Sequence, residues 1–215
     1  MEKVAIVLIG SSRSGKTTLI ASLIKASKDV QVDVYKSLYL RDFEVAPIGT
    51  FTGERVCNGM DKFLFSRELI QCLSGIDKSK SVIFDSWIMS RSFPTICKVI
   101  DILKKDYSKI HFVHLVAKLP EDAKEWLKRD AEQVAKIYKK LVRISDPTIV
   151  CHELLTVGNE NFITEASMLM SSILGKEIKL ELYSLKDRDV KVQKKGGGLL
   201  SPLNDEKYIG RKKED

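Results

Sequence analysis

Apolar residues along this chain follow two patterns that alternate, and together these patterns predict a sheet covered by helices. Short continuous apolar runs are typical of buried strands, whereas apolar residues three and four positions apart are typical of helices with one packed face. Runs of the first kind predict strands at Val4–Ile9, Ser81–Asp85, His111–Val116 and Ile178–Tyr183. Val30–Tyr39 and Phe43–Ile48, on either side of Arg41 and Asp42, predict two strands or a hairpin.

Helical spacing separates these runs. It predicts helices after the first strand, before Gly75, after Asp85 and over Thr164–Leu174. A longer helix is predicted to open at Leu119–Asp122 and to reach about Leu141, because a proline suits the first turn of a helix. Strands that alternate with helices predict a parallel sheet. The expected fold class is α/β, with three layers and a mostly parallel central sheet flanked by helices.

The chain of 215 residues has room for one sizeable core. We predict a single domain over residues 1–185. Residues 186–215 carry nine Lys and Arg against six Asp and Glu, include Gly196–Gly198 and hold few apolar residues. That composition predicts a basic, flexible C-terminal tail.

A phosphate-binding motif stands between the first predicted strand and the first predicted helix. Gly10–Thr17 reads GSSRSGKT and matches the pattern GxxxxGK[ST]. The two glycines let the backbone turn so that successive N–H groups form an anion site, Lys16 reaches the β- and γ-phosphates, and the Thr17 hydroxyl holds Mg²⁺. The predicted nucleotide contacts are Gly10, Ser11, Ser12, Arg13, Ser14, Gly15, Lys16, Thr17 and Thr18.

Composition indicates the cellular location of the protein, the state of its cysteines and the charge of its partners. No apolar stretch approaches the roughly 20 residues that a membrane span needs, and no secretory signal precedes the first strand, so we expect a cytoplasmic protein that does not contact membranes. The cysteines, Cys57, Cys72, Cys97 and Cys151, are scattered and are expected to be buried thiols. The net charge of +7 favours polyanionic partners.

Missing motifs separate the classes of phosphate-loop protein. A GTP switch would carry NKxD to read guanine and DxxG to sense the γ-phosphate, and neither pattern occurs. A motor ATPase would place a Glu beside the strand-end Asp to activate water, but Asp85 is followed by Ser86 and Trp87. These absences favour phosphoryl transfer to an acceptor other than water.

Asp85 is the first candidate for the second half of the site. It ends an apolar strand, and the carboxyl ends of parallel strands are where α/β proteins bind ligands. There it would orient Mg²⁺ or accept a proton from a substrate hydroxyl; the alternative is a simple helix cap. Asp33, Asp42 and Asp61 are further candidates for the base. Arg91 is either a clamp for a substrate phosphate or a solvated residue at a helix start.

The stretch from Leu115 to Arg129 resembles the segment that leads to the lid of nucleoside and nucleotide kinases. In that family a strand and a helix opened by proline bring arginines over the transferring phosphoryl group. The resemblance implies that Arg129, and then Lys128 or Arg143, neutralises charge on the γ-phosphate. The alternative is a charged face turned to solvent.

The segment Pro47–Asp61 resembles small bacteriophage P-loop kinases that act on modified bases. Gly49, Gly53, Gly59 and Asp61 fit that pattern, while Thr50 and Phe51 stand where Arg and Tyr are expected, so Arg55 is the candidate for the missing contact. The resemblance implies a P-loop kinase fold, ATP with Mg²⁺, and transfer of phosphate to 5-hydroxymethyluracil in DNA. The substrate contacts it implies are Gly49, Arg55, Gly59 and Asp61, with Arg91 beside them.

Three functions remain open at this point. The first is an ATP-dependent kinase acting on a modified pyrimidine in DNA, in bacteriophage DNA modification. The second is a kinase of free nucleosides or nucleoside monophosphates. The third is a nucleotide-binding module without catalysis. The oligomeric state is left open.

Overall fold

A computed structural model describes residues 2–32, 37–49, 66–156 and 159–181, and every structural statement below concerns those ranges. The strands are β1 (Val4–Gly10), β2 (Val30–Val32), β3 (Leu38–Leu40), β4 (Val45–Pro47), β5 (Ser81–Asp85), β6 (Lys109–Val116) and β7 (Ile149–Leu155). The helices are α1 (Lys16–Ala26), α2 (Ser66–Ser74), α3 (Phe93–Leu103), α4 (Glu125–Leu141) and α5 (Phe162–Leu174), with a 3₁₀ turn at Met89–Arg91.

The described strands form one sheet in the order β2-β3-β4-β5-β1-β6-β7. β4, β5, β1, β6 and β7 pair in parallel, and β3 runs antiparallel to both β2 and β4. The α/β class and the mostly parallel sheet are therefore confirmed.

Side chains of β1 alternate between two hydrophobic cores, and this alternation creates the layers. Ile6 and Leu8 pack in the core that α1 and α5 cover. Ala5, Val7 and Ile9 pack in the opposite core, which α2, α3 and α4 cover. Since successive side chains of a strand point to opposite faces, a strand buried on both faces must be apolar throughout. The seven residues of β1 are all buried, as their sequence predicts.

The hairpin prediction is confirmed around Arg41 and Asp42, where β3 and β4 pair antiparallel. The preceding run begins with a separate strand, β2, which pairs with β3 through Val30 and Leu40. Residues 33–36 lie outside the described residues.

The strand prediction at Ile178–Tyr183 is wrong over its described part, residues 178–181, which has no strand structure. Ile178 and Leu180 are buried, so the alternation is real, but their backbone groups bond to side chains of α5 instead of to a strand. The Ile178 N–H donates to Ser171 Oγ at 2.9 Å and the Leu180 N–H to Ser167 Oγ at 3.0 Å. The edge position belongs to β7, whose mixed sequence and partial burial hide it from a search for apolar runs.

The long helix also begins later than predicted. The Ala123 N–H donates to the Pro120 carbonyl at 3.0 Å in a turn, and Lys124 then has ψ 136°, which interrupts any helical path. α4 begins at Glu125 and ends at Leu141 as predicted.

The expectation of buried cysteine thiols is wrong for the described cysteines. Cys72, Cys97 and Cys151 are only partly buried, and Cys57 lies outside the described residues.

Candidate functional site

Gly10–Thr17 joins β1 to α1 in a turn whose shape depends on its two glycines. A Cβ at Gly10 would lie 2.3 Å from Ser14 Oγ and 2.8 Å from the Leu115 carbonyl oxygen, so no side chain fits there. Gly15 has a φ of 88°, in the left-handed region that glycine adopts without strain. Ser14 between them is fully buried.

The N-terminus of α1 follows directly from this turn. A helix begins with N–H groups that have no partner within the helix, and its N-terminus carries a partial positive charge. At α1 the capping position is Gly15, no side chain caps the first turn, and that turn contains no acidic residue. The arrangement suits an anion at this end of the helix.

Lys16 crosses the turn from its C-terminal end. Its side chain is buried, and its Nζ donates to the carbonyl oxygens of Gly10 and Ser11, both at 2.9 Å. A buried ammonium is stable only with such partners. Its charge therefore lies inside the turn.

Asp85 lies beside Thr17. Because β5 pairs with β1, with Leu8 level with Asp85, the end of β5 lies next to the start of the turn. The Thr17 hydroxyl donates to Asp85 Oδ2 at 3.1 Å, and Asp85 has no solvent exposure. A hydroxyl oxygen from the first turn of α1 and a carboxylate oxygen from the end of β5 thus meet at the N-terminus of α1.

The 3₁₀ turn after β5 also contacts the site, through a residue that the sequence did not single out. Ser90 Oγ accepts a hydrogen bond from the Gly10 N–H at 3.3 Å and donates to the Ser86 carbonyl at 3.3 Å. Ser90 therefore ties the segment after Asp85 to the end of β1. A buried serine in a loop has no distinctive sequence signal.

A second residue missed by the sequence motifs is Asp130 on α4. It is 4% exposed, and its Oδ2 accepts a hydrogen bond from the Ser12 N–H at 2.7 Å. Its Oδ1 lies 2.8 Å from Arg91 Nη2 and 3.1 Å from Arg91 Nε. A signal was present, since Asp130 stands at helical spacing between the apolar residues Leu127 and Val134.

Arg129, the predicted catalytic arginine, is the neighbour of Asp130 on the same helix but is turned to solvent. Its side chain is 77% exposed and its Nε lies 3.3 Å from Glu125 Oε1. Lys128 is partly buried and donates to the Glu121 carbonyl at 2.6 Å, and Arg143 is exposed. Of these neighbours on α4, it is Asp130 and not Arg129 that contacts the loop.

Two tryptophans border the site, each with an arginine over its ring. The guanidinium of Arg91 lies 4.2 Å from the ring centroid of Trp87, and that of Arg13 lies 5.9 Å from that of Trp126. Trp87 is 38% exposed and Trp126 is 46% exposed, which is high for such large apolar side chains.

Only part of the predicted substrate loop is described. Gly49, with a φ of 142°, follows β4 and is exposed; since Pro47 pairs with Ile83, continuing this register brings Gly49 level with Asp85. Arg55, Gly59 and Asp61, together with Thr50, Phe51, Gly53 and Asp33, lie outside the described residues.

Asp42, a candidate base, lies far from the loop. It accepts hydrogen bonds from Ser27 Oγ at 2.5 Å and from the Lys28 N–H at 2.8 Å, just past the end of α1. An 11-residue helix separates these residues from the turn, which is about 16 Å at 1.5 Å per residue. Asp42 is therefore not the base of this site.

Comparisons with known proteins add no family. No protein-family model matches the chain, and no curated protein is significantly similar to it. The resemblances carried by Leu115–Arg129 and Pro47–Asp61 stay predictions.

In the described part of the chain, no group of three or more His, Cys, Asp or Glu has the arrangement of a metal site. Over the same residues, no helix combines the length and the apolar character that a membrane crossing requires.

Proposed function

We propose that this protein is an ATP-dependent kinase of the P-loop class, which transfers the γ-phosphoryl group to a hydroxyl other than that of water. One observation carries the proposal: the Thr17 hydroxyl donates to the buried Asp85 carboxylate at 3.1 Å, at the N-terminus of a helix that follows a GxxxxGKT turn. A phosphate-loop threonine beside a strand-end aspartate is the pair that P-loop proteins use around Mg²⁺.

Thr17 and Asp85 fit Mg²⁺ chemically. Mg²⁺ prefers oxygen ligands, keeps several waters, and is bound by one or two carboxylates together with substrate phosphates. One carboxylate and one hydroxyl therefore suffice, and a cluster of acidic residues is not needed. Mg²⁺ would neutralise negative charge on the β- and γ-phosphates.

The turn would bind the triphosphate. The N–H groups at the start of α1 and the Lys16 ammonium would hold the β- and γ-phosphates, and Lys16 would exchange its bonds to the Gly10 and Ser11 carbonyls for bonds to phosphate oxygens. Phosphoryl transfer depends mainly on such positioning and charge stabilisation.

The surroundings of Asp85 favour transfer to an acceptor over hydrolysis. The residues that follow it are Ser86, which is buried, and Trp87, and neither side chain is a base for water. Asp85 would orient the metal ion or accept the proton of the acceptor hydroxyl.

For the acceptor we propose a modified pyrimidine in DNA. The support is the resemblance of Pro47–Asp61 to phage kinases of 5-hydroxymethyluracil in DNA, the net charge of +7, and the exposed Trp87 and Trp126 with their arginines beside the loop. A base must leave the helical stack to be phosphorylated, and aromatic and cationic side chains stabilise such a base and its backbone.

Labelled ATP tests the proposal. The protein is incubated with γ-labelled ATP and Mg²⁺, and with duplex DNA containing 5-hydroxymethyluracil, unmodified duplex, free nucleosides, or nucleoside monophosphates. We expect label on the modified duplex alone. Label found only on free nucleosides or monophosphates would refute the DNA substrate and indicate a kinase of free nucleosides or nucleoside monophosphates.

Variants of the same assay test catalysis itself. Lys16→Ala and Asp85→Asn should each lower transfer at least about 100-fold while circular dichroism shows a retained fold. Lys139→Ala, a change at an exposed position of α4, is the matched surface control. Wild-type protein that binds ATP and transfers phosphate to no acceptor would be the non-catalytic module.

A further inference from the structure

Asp130 is a buried charge whose partners all belong to the region of the phosphate loop. Its side chain is 3% exposed in the apolar stripe of α4, and it binds the Ser12 N–H and the Arg91 guanidinium. A charge that is buried without partners costs far more free energy than an exposed one, so these partners explain how α4 tolerates it. The three groups come from three different segments: the turn after β1, the 3₁₀ turn after β5, and α4.

Arg91 is held on several sides. Its Nε and Nη2 both donate to Asp130 Oδ1, its guanidinium stacks on Trp87, and its carbonyl accepts a hydrogen bond from Gln133 Nε2 at 3.2 Å. A guanidinium has five N–H donors, and Asp130 engages two of them. The side chain is 35% exposed, and Asp130 leaves three of its N–H donors for a further partner.

Asp130 is a poor proton acceptor in this setting. Burial opposes its ionisation, but the hydrogen bond from the Ser12 N–H and the charge of Arg91 outweigh burial and hold the pKa of Asp130 below its ordinary value. A carboxylate that is stabilised as an anion does not take a proton readily. Its contacts suit holding Arg91 in place.

We propose that Asp130 is a positioning residue. It fixes Arg91 beside Ser12 so that Arg91 contacts the γ-phosphate of bound ATP, which ADP lacks. This inference rests on the proposed nucleotide site. It assigns to Arg91, near the loop, the role that the resemblance gave to Arg129. It also makes α4 part of the site, because Asp130 links the helix to the turn.

Discrimination between ATP and ADP tests this link without requiring transfer. Affinities of both nucleotides are measured by calorimetry, with Mg²⁺, for wild type, Arg91→Ala, Asp130→Asn and the double variant. If Arg91 contacts the terminal phosphate, each variant should lose about 10-fold of the preference for ATP. The double variant should lose no more than Arg91→Ala, because Asp130 acts through Arg91.

A matched control removes the same charge from the same helix. Glu132 is exposed on α4, and Glu132→Gln should leave the preference for ATP unchanged. If Asp130 merely repelled phosphates, Asp130→Asn would bind ATP more tightly than wild type does, and that result would overturn the inference. Equal and additive losses in the double variant would overturn it too.

Folding is checked for each variant by circular dichroism and thermal unfolding. If Asp130→Asn does not fold, Arg91→Lys replaces it, because lysine keeps the charge but cannot place two donors on one carboxylate. A wild-type preference for ATP in Arg91→Lys would contradict the inference.

The failures are distinguishable. Wild-type protein that binds neither nucleotide refutes both the proposed function and this inference. Suppose instead that wild type prefers ATP, that Asp130→Asn loses this preference, and that wild type transfers no phosphate. That result supports the role of Asp130 and refutes the kinase function.

Discussion

Gly10 and Gly15 shape the loop for different reasons, and the motif predicts both. Gly10 excludes a side chain because Ser14 and the Leu115 carbonyl occupy the space, whereas Gly15 needs its positive φ. Ser90 and Asp130 could not be predicted in the same way. Their hydrogen bonds to the loop span 80 and 118 positions along the chain, and no local pattern encodes such contacts.

Gly10→Ala should lower the free energy of unfolding by about 1 to 3 kcal/mol, since a Cβ would meet the Leu115 backbone oxygen at 2.8 Å and overpacking against backbone is not easily relieved. Urea unfolding monitored by circular dichroism measures the change. Gly75→Ala is the control, because the nearest atom to a Cβ there is 3.7 Å away. Equal stability of the two variants would contradict the tight packing at Gly10.

At the scale of elements, the apolar pattern is most informative where a strand or helix is buried against the sheet. It predicts β1 and β5 closely and the C-terminal end of α4, because their apolar residues follow one period throughout. It misses β7, where His152 and Glu153 interrupt the apolar residues and the strand lies at the edge of the described sheet. Position in the sheet thus decides how much of a strand the sequence reveals.

The two faces of α5 give a test of its packing. Met170 is fully buried against the sheet, whereas Met168 is 69% exposed two residues earlier. Met170→Ala should destabilise the protein by about 2 to 5 kcal/mol, and Met168→Ala by less than about 0.5 kcal/mol. Thermal and urea unfolding of the two variants measure this difference. Similar losses from both would mean that this helix packs differently.

The pairing of β6 and β7 brings two histidines together and predicts sensitivity to acid. His111 Nδ1 and His152 Nε2 lie 3.0 Å apart, with the rings stacked. Burial, and then the charges of His152 and Lys109, lower the pKa of His111 to about 4, and burial lowers the pKa of His152. The folded protein therefore favours neutral rings.

The sign of the pH effect follows from these lowered pKa values. The stabilisation is complete above about pH 6.5, the pKa of histidine in an unfolded chain, and is lost as the pH falls toward 4, because only the unfolded chain then binds protons. His111 alone should contribute about 2 to 3 kcal/mol over this interval. Urea unfolding of wild type and His111→Gln is measured between pH 7.5 and 4.5. The difference between the two proteins gives the contribution of His111, because the carboxylates titrate in both. Parallel pH profiles for the two proteins would contradict it.

At the scale of the whole molecule, the parallel strands bring distant residues to one edge of the sheet. β1 ends at Gly10, β5 ends at Asp85, and β4 ends two residues before Gly49. The alternation of strands and helices predicts this convergence, since parallel strands carry their loops at the same edge. It does not reveal the strand order, which sets β5 beside β1 and so brings Asp85 to Thr17.

The net charge of +7 is a property of the whole chain, and it predicts binding to DNA through the phosphates. If the protein neutralises about four phosphates, its affinity for duplex DNA should fall on the order of 100-fold between 50 mM and 200 mM salt. Fluorescence anisotropy with a labelled duplex measures it. A change of less than about 3-fold would argue against a DNA substrate and favour free nucleosides or nucleotides.

In the proposed function, Gly10–Thr17 and Asp85 form a site for a nucleotide with Mg²⁺. Calorimetric titration of ATP into wild type and Thr17→Val, with and without Mg²⁺, tests it most directly. We predict that Mg²⁺ raises the affinity of wild type for ATP at least about 10-fold. Thr17→Val lacks the hydroxyl beside Asp85, so it should lose this gain. Without Mg²⁺, Thr17→Val should bind ATP as tightly as wild type does. Wild-type protein that does not bind ATP, or that binds it equally well without Mg²⁺, would contradict the claim.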